Sequence, residues 1–180
     1  MVPPALAARL REPDGAAYWR DLAPGAATVG ARSPRLRLTL LPARLVRAWS
    51  GRLTWLVSTP ALIGLIALGG AGAVLAPSPR LTGGPDAWCA VGLVVAGGLW
   101  HELGHAAALR RGGWAPGGIG VGVLRVLPVL WSDVSATALL DRGGKVRVDL
   151  AGLAFQLGLA GALACVAAPW DWAPAGVAMR

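Results

Sequence analysis

The sequence predicts an all-α polytopic membrane protein: three transmembrane helices, with a small β-rich re-entrant loop between the second and third. Three observations carry that prediction. Of the 180 residues, 55% are hydrophobic and only 14% charged, and the mean hydropathy of +0.56 is that of a chain built to meet lipid. The apolar residues gather in long runs broken by Pro and Gly. Arginine, the main source of the net charge of +8, collects beside those runs, which favours a membrane surface over nucleic acid.

The elements follow in order. Residues 1–52 form a basic, Pro- and Gly-containing segment expected on the cytosolic side, with no clear period from Met1 to Ser33. Between Ala43 and Leu53, Leu45, Val46, Trp49 and Leu53 share one helical face while Arg44, Arg47 and Arg52 lie off it, which predicts an interfacial helix. The membrane core is expected over 53–168. Its first span, 53–76, reaches about 36 Å as a helix, with Pro60 as a candidate kink and Pro77-Ser78-Pro79 as its end. The second span is expected over 86–109, closing at Arg110-Arg111, and the third over 146–168, where Gly152, Gly158 and Gly161 allow close helix approach. Between them, Ile119–Val126 and Val129–Val134 alternate as short strands or a re-entrant hairpin do. Residues 169–180 make a short C-terminal tail.

Charge sets the expected orientation. Nine arginines precede Leu53 and six Lys/Arg lie from Arg110 to Arg147, against Arg80 and Arg180 elsewhere. The positive-inside rule then places the N-terminus in the cytoplasm of an integral membrane protein. No cleavable signal peptide is expected after Met1-Val2-Pro3-Pro4. Cys89 and Cys165 fall in apolar segments away from any CxxC spacing and read as small buried hydrophobes. No nucleic-acid-binding module is recognisable.

The chemistry concentrates in His101-Glu102-Leu103-Gly104-His105, which holds both of the chain's histidines. HExxH on a helix stacks two imidazoles one turn apart on one face, where they can share a zinc ion (Zn2+). The adjacent Glu102 is then placed as the general base toward water. Three ionisable groups within five residues of an apolar run are costly, and such groups default to a functional reading over a hydrogen-bonded bundle interior.

The flanks carry a resemblance. Gly98-Leu99-Trp100 before HELGH, Gly112-Gly113, Gly118-Ile119-Gly120-Val121-Gly122, Leu127-Pro128 and Ser132-Asp133-Val134-Ser135 look like the site-2 protease family of intramembrane zinc metallopeptidases, and most like its bacterial peptide zinc metalloprotease subset. The run Ala151-Gly152-Leu153-Ala154-Phe155-Gln156 resembles the family's small-residue motif, which often ends in Asn. The resemblance covers roughly Arg37 to Ala168. It implies a bacterial cytoplasmic-membrane enzyme that hydrolyses peptide bonds of membrane-associated or peptide substrates. His101 and His105 would be zinc ligands, Glu102 the catalytic base, and Gln156 a catalytic polar residue holding substrate or oxyanion. The hairpin region would guide an extended substrate.

One departure matters. In the family the third ligand is an aspartate of an Asn-Pro…Asp-Gly motif on a later span, which does not occur in these 180 residues. Within the chain, Asp149 near the start of the third span is the candidate third metal ligand, against a role pairing Arg147 or capping the span. The other sources are a homo-oligomer, a partner chain, or a continuation of the chain. The competing functional classes are a catalytically inactive or truncated membrane-binding or chaperone module that keeps the fold, and a transporter subunit with ionisable residues on a proton path.

Overall fold

The computed structural model describes residues 36–75, 85–124 and 126–171. The expectations for Met1–Ser33, for the loop around Arg80 and for the tail after Asp171 lie outside these residues. Strand β1 (Leu36–Leu41) leads into helix α1 (Ala43–Arg52), a 3-10 turn at Thr54–Val57 and helix α2 (Thr59–Leu75). Helix α3 (Pro85–Arg111) is followed by strands β2 (Ile119–Leu124) and β3 (Leu127–Ser132), a second 3-10 turn at Ser135–Leu139 and helix α4 (Arg142–Asp171).

The expected all-α fold with three spans is overturned. The described residues form four helices and a three-stranded antiparallel sheet in the order β1-β2-β3, and only Arg142–Val166 is a helix long and apolar enough to cross a membrane. The physical reasons are local. The run from Leu53 is divided: Ser58 is extended after the 3-10 turn, and Pro60 sits in the first turn of α2, whose described residues run from Thr59 to Leu75. Helix α3 has 27 residues and carries His101, Glu102 and His105; among the described residues it is not a helix that is long and apolar enough to cross a membrane.

The sheet extends further than the hairpin expected from sequence. β2 and β3 pair from Ile119↔Ser132 to Leu124↔Leu127, and β1 adds to the other edge of β2 from Leu36↔Val123, with an irregularity between Thr39 and Leu41. The β1 stretch alternates Leu36, Leu38, Leu40 with Arg37 and Thr39, a period of two hidden by its basic surroundings. Two further backbone bonds, Gly117 N–H to Asp133 O (2.8 Å) and Asp133 N–H to Gly118 O (2.9 Å), carry the ladder past Ser132.

Capping explains where the long helices begin and end. Asp141 precedes α4, its Oδ1 accepting from Gly144 N–H at 2.8 Å and its carbonyl from Lys145 N–H at 3.0 Å, so the helix starts four residues before the apolar run. Arg110 and Arg111 lie at the carbonyl end of α3, where cations are favoured. Gly113 then takes φ 85°, a conformation that ends the helix without the penalty a Cβ would bring.

Helix α4 is the centre of the packing, antiparallel to α3 on one side and against α2 on the other. One core cluster joins Leu109, Ala107 and Ala108 of α3 to Val148, Ala151, Ala154 and Phe155 of α4, with Val57, Leu62, Trp114 and Ala136 around them. A second links Val46 of α1, Leu103 and Ala106 of α3 and Ile119 of β2. Trp100 touches both, its ring 5.1 Å from that of Phe155 at 34°. The outward faces keep large apolar side chains exposed, among them Ile63, Val94, Leu153 and Val166. Both cysteines are free; Cys89 is exposed rather than buried, and Cys165 is half-buried.

Candidate metal and hydrolytic site

Helix α3 puts His101 and His105 one turn apart, and α4 presents a matching stripe. Val148, Gly152 and Gln156 are spaced by four and so line one face of α4. His105 Nδ1–H donates to the Val148 carbonyl at 2.6 Å, and His101 Nδ1 faces Gln156 Oε1 at 3.1 Å. Between those contacts the two Nε2 atoms face each other at 3.0 Å, the rings meeting edge to face at 80°.

This geometry tests whether the donors suit a zinc ion. A backbone carbonyl can only accept, so His105 carries a proton on Nδ1, which leaves Nε2 as the nitrogen turned toward His101. Two nitrogens about 2.0–2.1 Å from one tetrahedral zinc would stand about 3.3 Å apart, a few tenths of an ångström from the separation here. Outer carbonyl acceptors on both Nδ1 atoms are the usual support of a histidine ligand pair. Gly152 is the third part of the fit. A Cβ built on it would lie 2.8 Å from His101 Nε2 and against His105 Nε2, so the missing side chain leaves clear the space that both nitrogens face. The two imidazoles fit a zinc ion's nitrogen donors.

Glu102 points away from that stripe toward the sheet. Its Oε2 accepts from Ser132 Oγ–H at the end of β3. A cavity of about 420 Å³ opens beside it, lined by Glu102, His105, Trp131, Ser132, Thr137 and Asp149 among others. Trp131 lies across from Gly120 in the hairpin register, and the Arg37 guanidinium stacks over its ring at 5.3 Å.

The structure therefore brings together four of the five residues singled out in sequence, with one changed position and one left apart. His101, Glu102 and His105 stand at one site. Gln156 joins it by bonding to His101 instead of facing the cavity that Glu102 lines. Asp149 is exposed on the wall of that cavity, yet among the described residues no third His, Cys, Asp or Glu completes a metal-holding group with the two imidazoles. Asp133 serves the loop: its Oδ1 accepts from Ser135 Oγ–H at 2.8 Å. Sequence reasoning missed two contributors. Val148 acts through its carbonyl, which no side chain advertises, and Ser132 was legible only as part of a run of residues. No protein-family model, no curated protein and no solved structure matches this chain.

Proposed function

We propose that this chain is a zinc-dependent metalloendopeptidase of the site-2-protease type, acting on peptide bonds of membrane-associated or peptide substrates. The observation that supports it best is the pairing of the HELGH face with the Val148–Gly152–Gln156 stripe. It gives both imidazoles outer acceptors and leaves open space where their nitrogens converge. A zinc ion held there supplies Lewis acidity to the scissile carbonyl and to water. Glu102 opens onto the cavity, takes the proton from the attacking water and returns it to the leaving amine. Ser132 holds the Glu102 carboxylate toward that cavity. Asp149, exposed on the same wall, is the third-ligand candidate within the chain. The protein sits in a bacterial cytoplasmic membrane through α4, with its arginine-rich N-terminal segment on the cytoplasmic side.

The test is zinc content and cleavage measured together on the purified chain in detergent. One zinc per chain is expected, lost in His105→Ala. Glu102→Gln is expected to keep the zinc and lose cleavage by about 100-fold or more. Cleavage that survives in Glu102→Gln overturns the hydrolytic role.

One observation favours a second reading: the absence, among the described residues, of a three-ligand group. It supports a catalytically inactive module that keeps the fold and binds a membrane partner. That reading expects zinc stripped by a mild chelator and no cleavage of any peptide, with the fold unchanged by Glu102→Gln.

A further inference from the structure

We propose that the basic end of the helix bundle is a binding surface for anionic phospholipid headgroups, which fixes the depth of the HELGH site in the membrane. Four elements meet at this end. Arg111, closing α3, donates to the Thr54 carbonyl at 3.3 Å, in the turn that follows α1. Arg147 of α4 donates at 3.5 Å to the Oγ1 of Thr59, the first residue of α2. A Cβ on Gly112 would lie 2.6 Å from Leu140 Cδ2, so the end of α3 also abuts the segment that leads into α4. These contacts gather Arg52 at the end of α1, Arg110 and Arg111 of α3, and Arg142, Lys145 and Arg147 of α4 at one end of the molecule.

Like charges gathered this way repel, and little within the chain answers them. Arg52, Arg110, Arg142 and Lys145 are exposed, and among the described residues none of the four is ion-paired. The acids beside them in sequence are Asp141, whose Oδ1 caps α4, and Asp149, on the wall of the cavity that Glu102 lines. The surface therefore suits an anion from outside the chain, and guanidinium forks match phosphate oxygens. Two further observations favour lipid over nucleic acid. Trp49 and Trp55, three residues before and after Arg52, are 55% and 65% exposed, and Trp is the side chain of the water–lipid boundary. On α4 the cations give way to exposed Val146, Leu150 and Leu153, so charge runs into apolar surface along the helix able to span a membrane. His105 lies five residues before Arg110, no more than about 8 Å along α3. Headgroups held at the basic end thus keep the histidines just below the level of the phosphates.

This inference rests on the membrane placement proposed above and not on zinc. The full chain is reconstituted into vesicles of phosphatidylcholine and phosphatidylglycerol in equal amounts, with bromine on the acyl chains of one lipid at a time, and tryptophan quenching is read. Brominated phosphatidylglycerol is expected to quench more than brominated phosphatidylcholine, and Trp49→Phe with Trp55→Phe to remove the excess. Changing Arg52, Arg110, Arg142 and Lys145 together to Gln is expected to lower the preference for phosphatidylglycerol by about tenfold or more. Arg52→Lys, Arg110→Lys and Arg142→Lys together are expected to retain it, and both sets to keep the wild-type thermal midpoint. Equal quenching by the two lipids in the wild type overturns the proposal, as does an unchanged preference in the Gln variant or an excess that survives loss of both tryptophans. Single-stranded RNA that abolishes the excess assigns the surface to nucleic acid and overturns it too. A chain that alkaline carbonate strips from the vesicles refutes the membrane placement and this inference together. A chain that stays but shows no preference refutes this inference alone, and zinc content and cleavage decide the peptidase reading in either case.

Discussion

The two faces of α4 use the same residue for opposite ends. Toward α2, glycine brings backbone onto backbone: a Cβ on Gly161 would meet Leu68 O and lie 2.8 Å from Gly69 N, and one on Gly69 would lie 2.7 Å from Leu157 Cβ. Toward α3, Gly104 does the same against the Ala151 carbonyl, at 2.7 Å, but Gly152 clears a space in front of two imidazole nitrogens. A small-residue stripe read in sequence is therefore one signal with two meanings. On the α2 side it fastens helices; on the α3 side it also makes room for chemistry. What separates the two is the partner residue, apolar on α2 and histidine on α3.

Substitutions can break or sharpen this contrast. The largest effect is expected from Phe155→Ala, which removes a fully buried ring packed on Trp100 beside the site. A loss of about 3–5 kcal/mol is expected, read as a lower denaturation midpoint, with the histidine pair loosened as a consequence. Gly161→Ala is expected to cost about 1–3 kcal/mol by forcing α2 and α4 apart, and to leave zinc affinity per folded chain unchanged. Gly152→Ala should do the reverse. The helix gains about 1 kcal/mol from replacing glycine, which offsets the displaced imidazoles, while zinc affinity falls by about tenfold or more. Equal effects of the two glycine changes on stability and on zinc would erase the distinction between the faces. The smallest effect is expected from Ser132→Ala: a stability change within about 1 kcal/mol, with any loss confined to cleavage rather than zinc binding, since Ser132 touches Glu102 and neither histidine.

The sequence specifies structure legibly where one helix turn suffices, and less so where packing between distant elements decides. The HELGH spacing places His101 and His105 correctly because 3.6 residues per turn is a local property. The helix at Ala43–Arg52 appears where its amphipathic pattern is, and buries Val46 from that face. The hairpin at Ile119–Ser132 follows its alternation. The three-span, all-α expectation fails at the 3-10 turn and extended Ser58, which divide the first apolar run, and at Leu36–Leu41, whose alternation pairs as a strand with β2. The resemblance implies a substrate-facing role for Gln156; its position eight residues after Val148 also aligns it with the α3 face that carries His101.

The sequence by itself determined the helix that carries His101, Glu102 and His105 on adjoining faces, the cap at Gly113 that ends it and the one at Asp141 that starts α4, and the glycine spacing that lets α4 approach closely. These depend on backbone geometry within a few residues. Only the tertiary structure decided that Val148, Gly152 and Gln156 stand opposite the histidines, and that Ser132 meets Glu102. Those contacts span 30 to 55 residues. They arise because antiparallel packing of α3 on α4 sets one register between two helical faces, which neither face specifies alone.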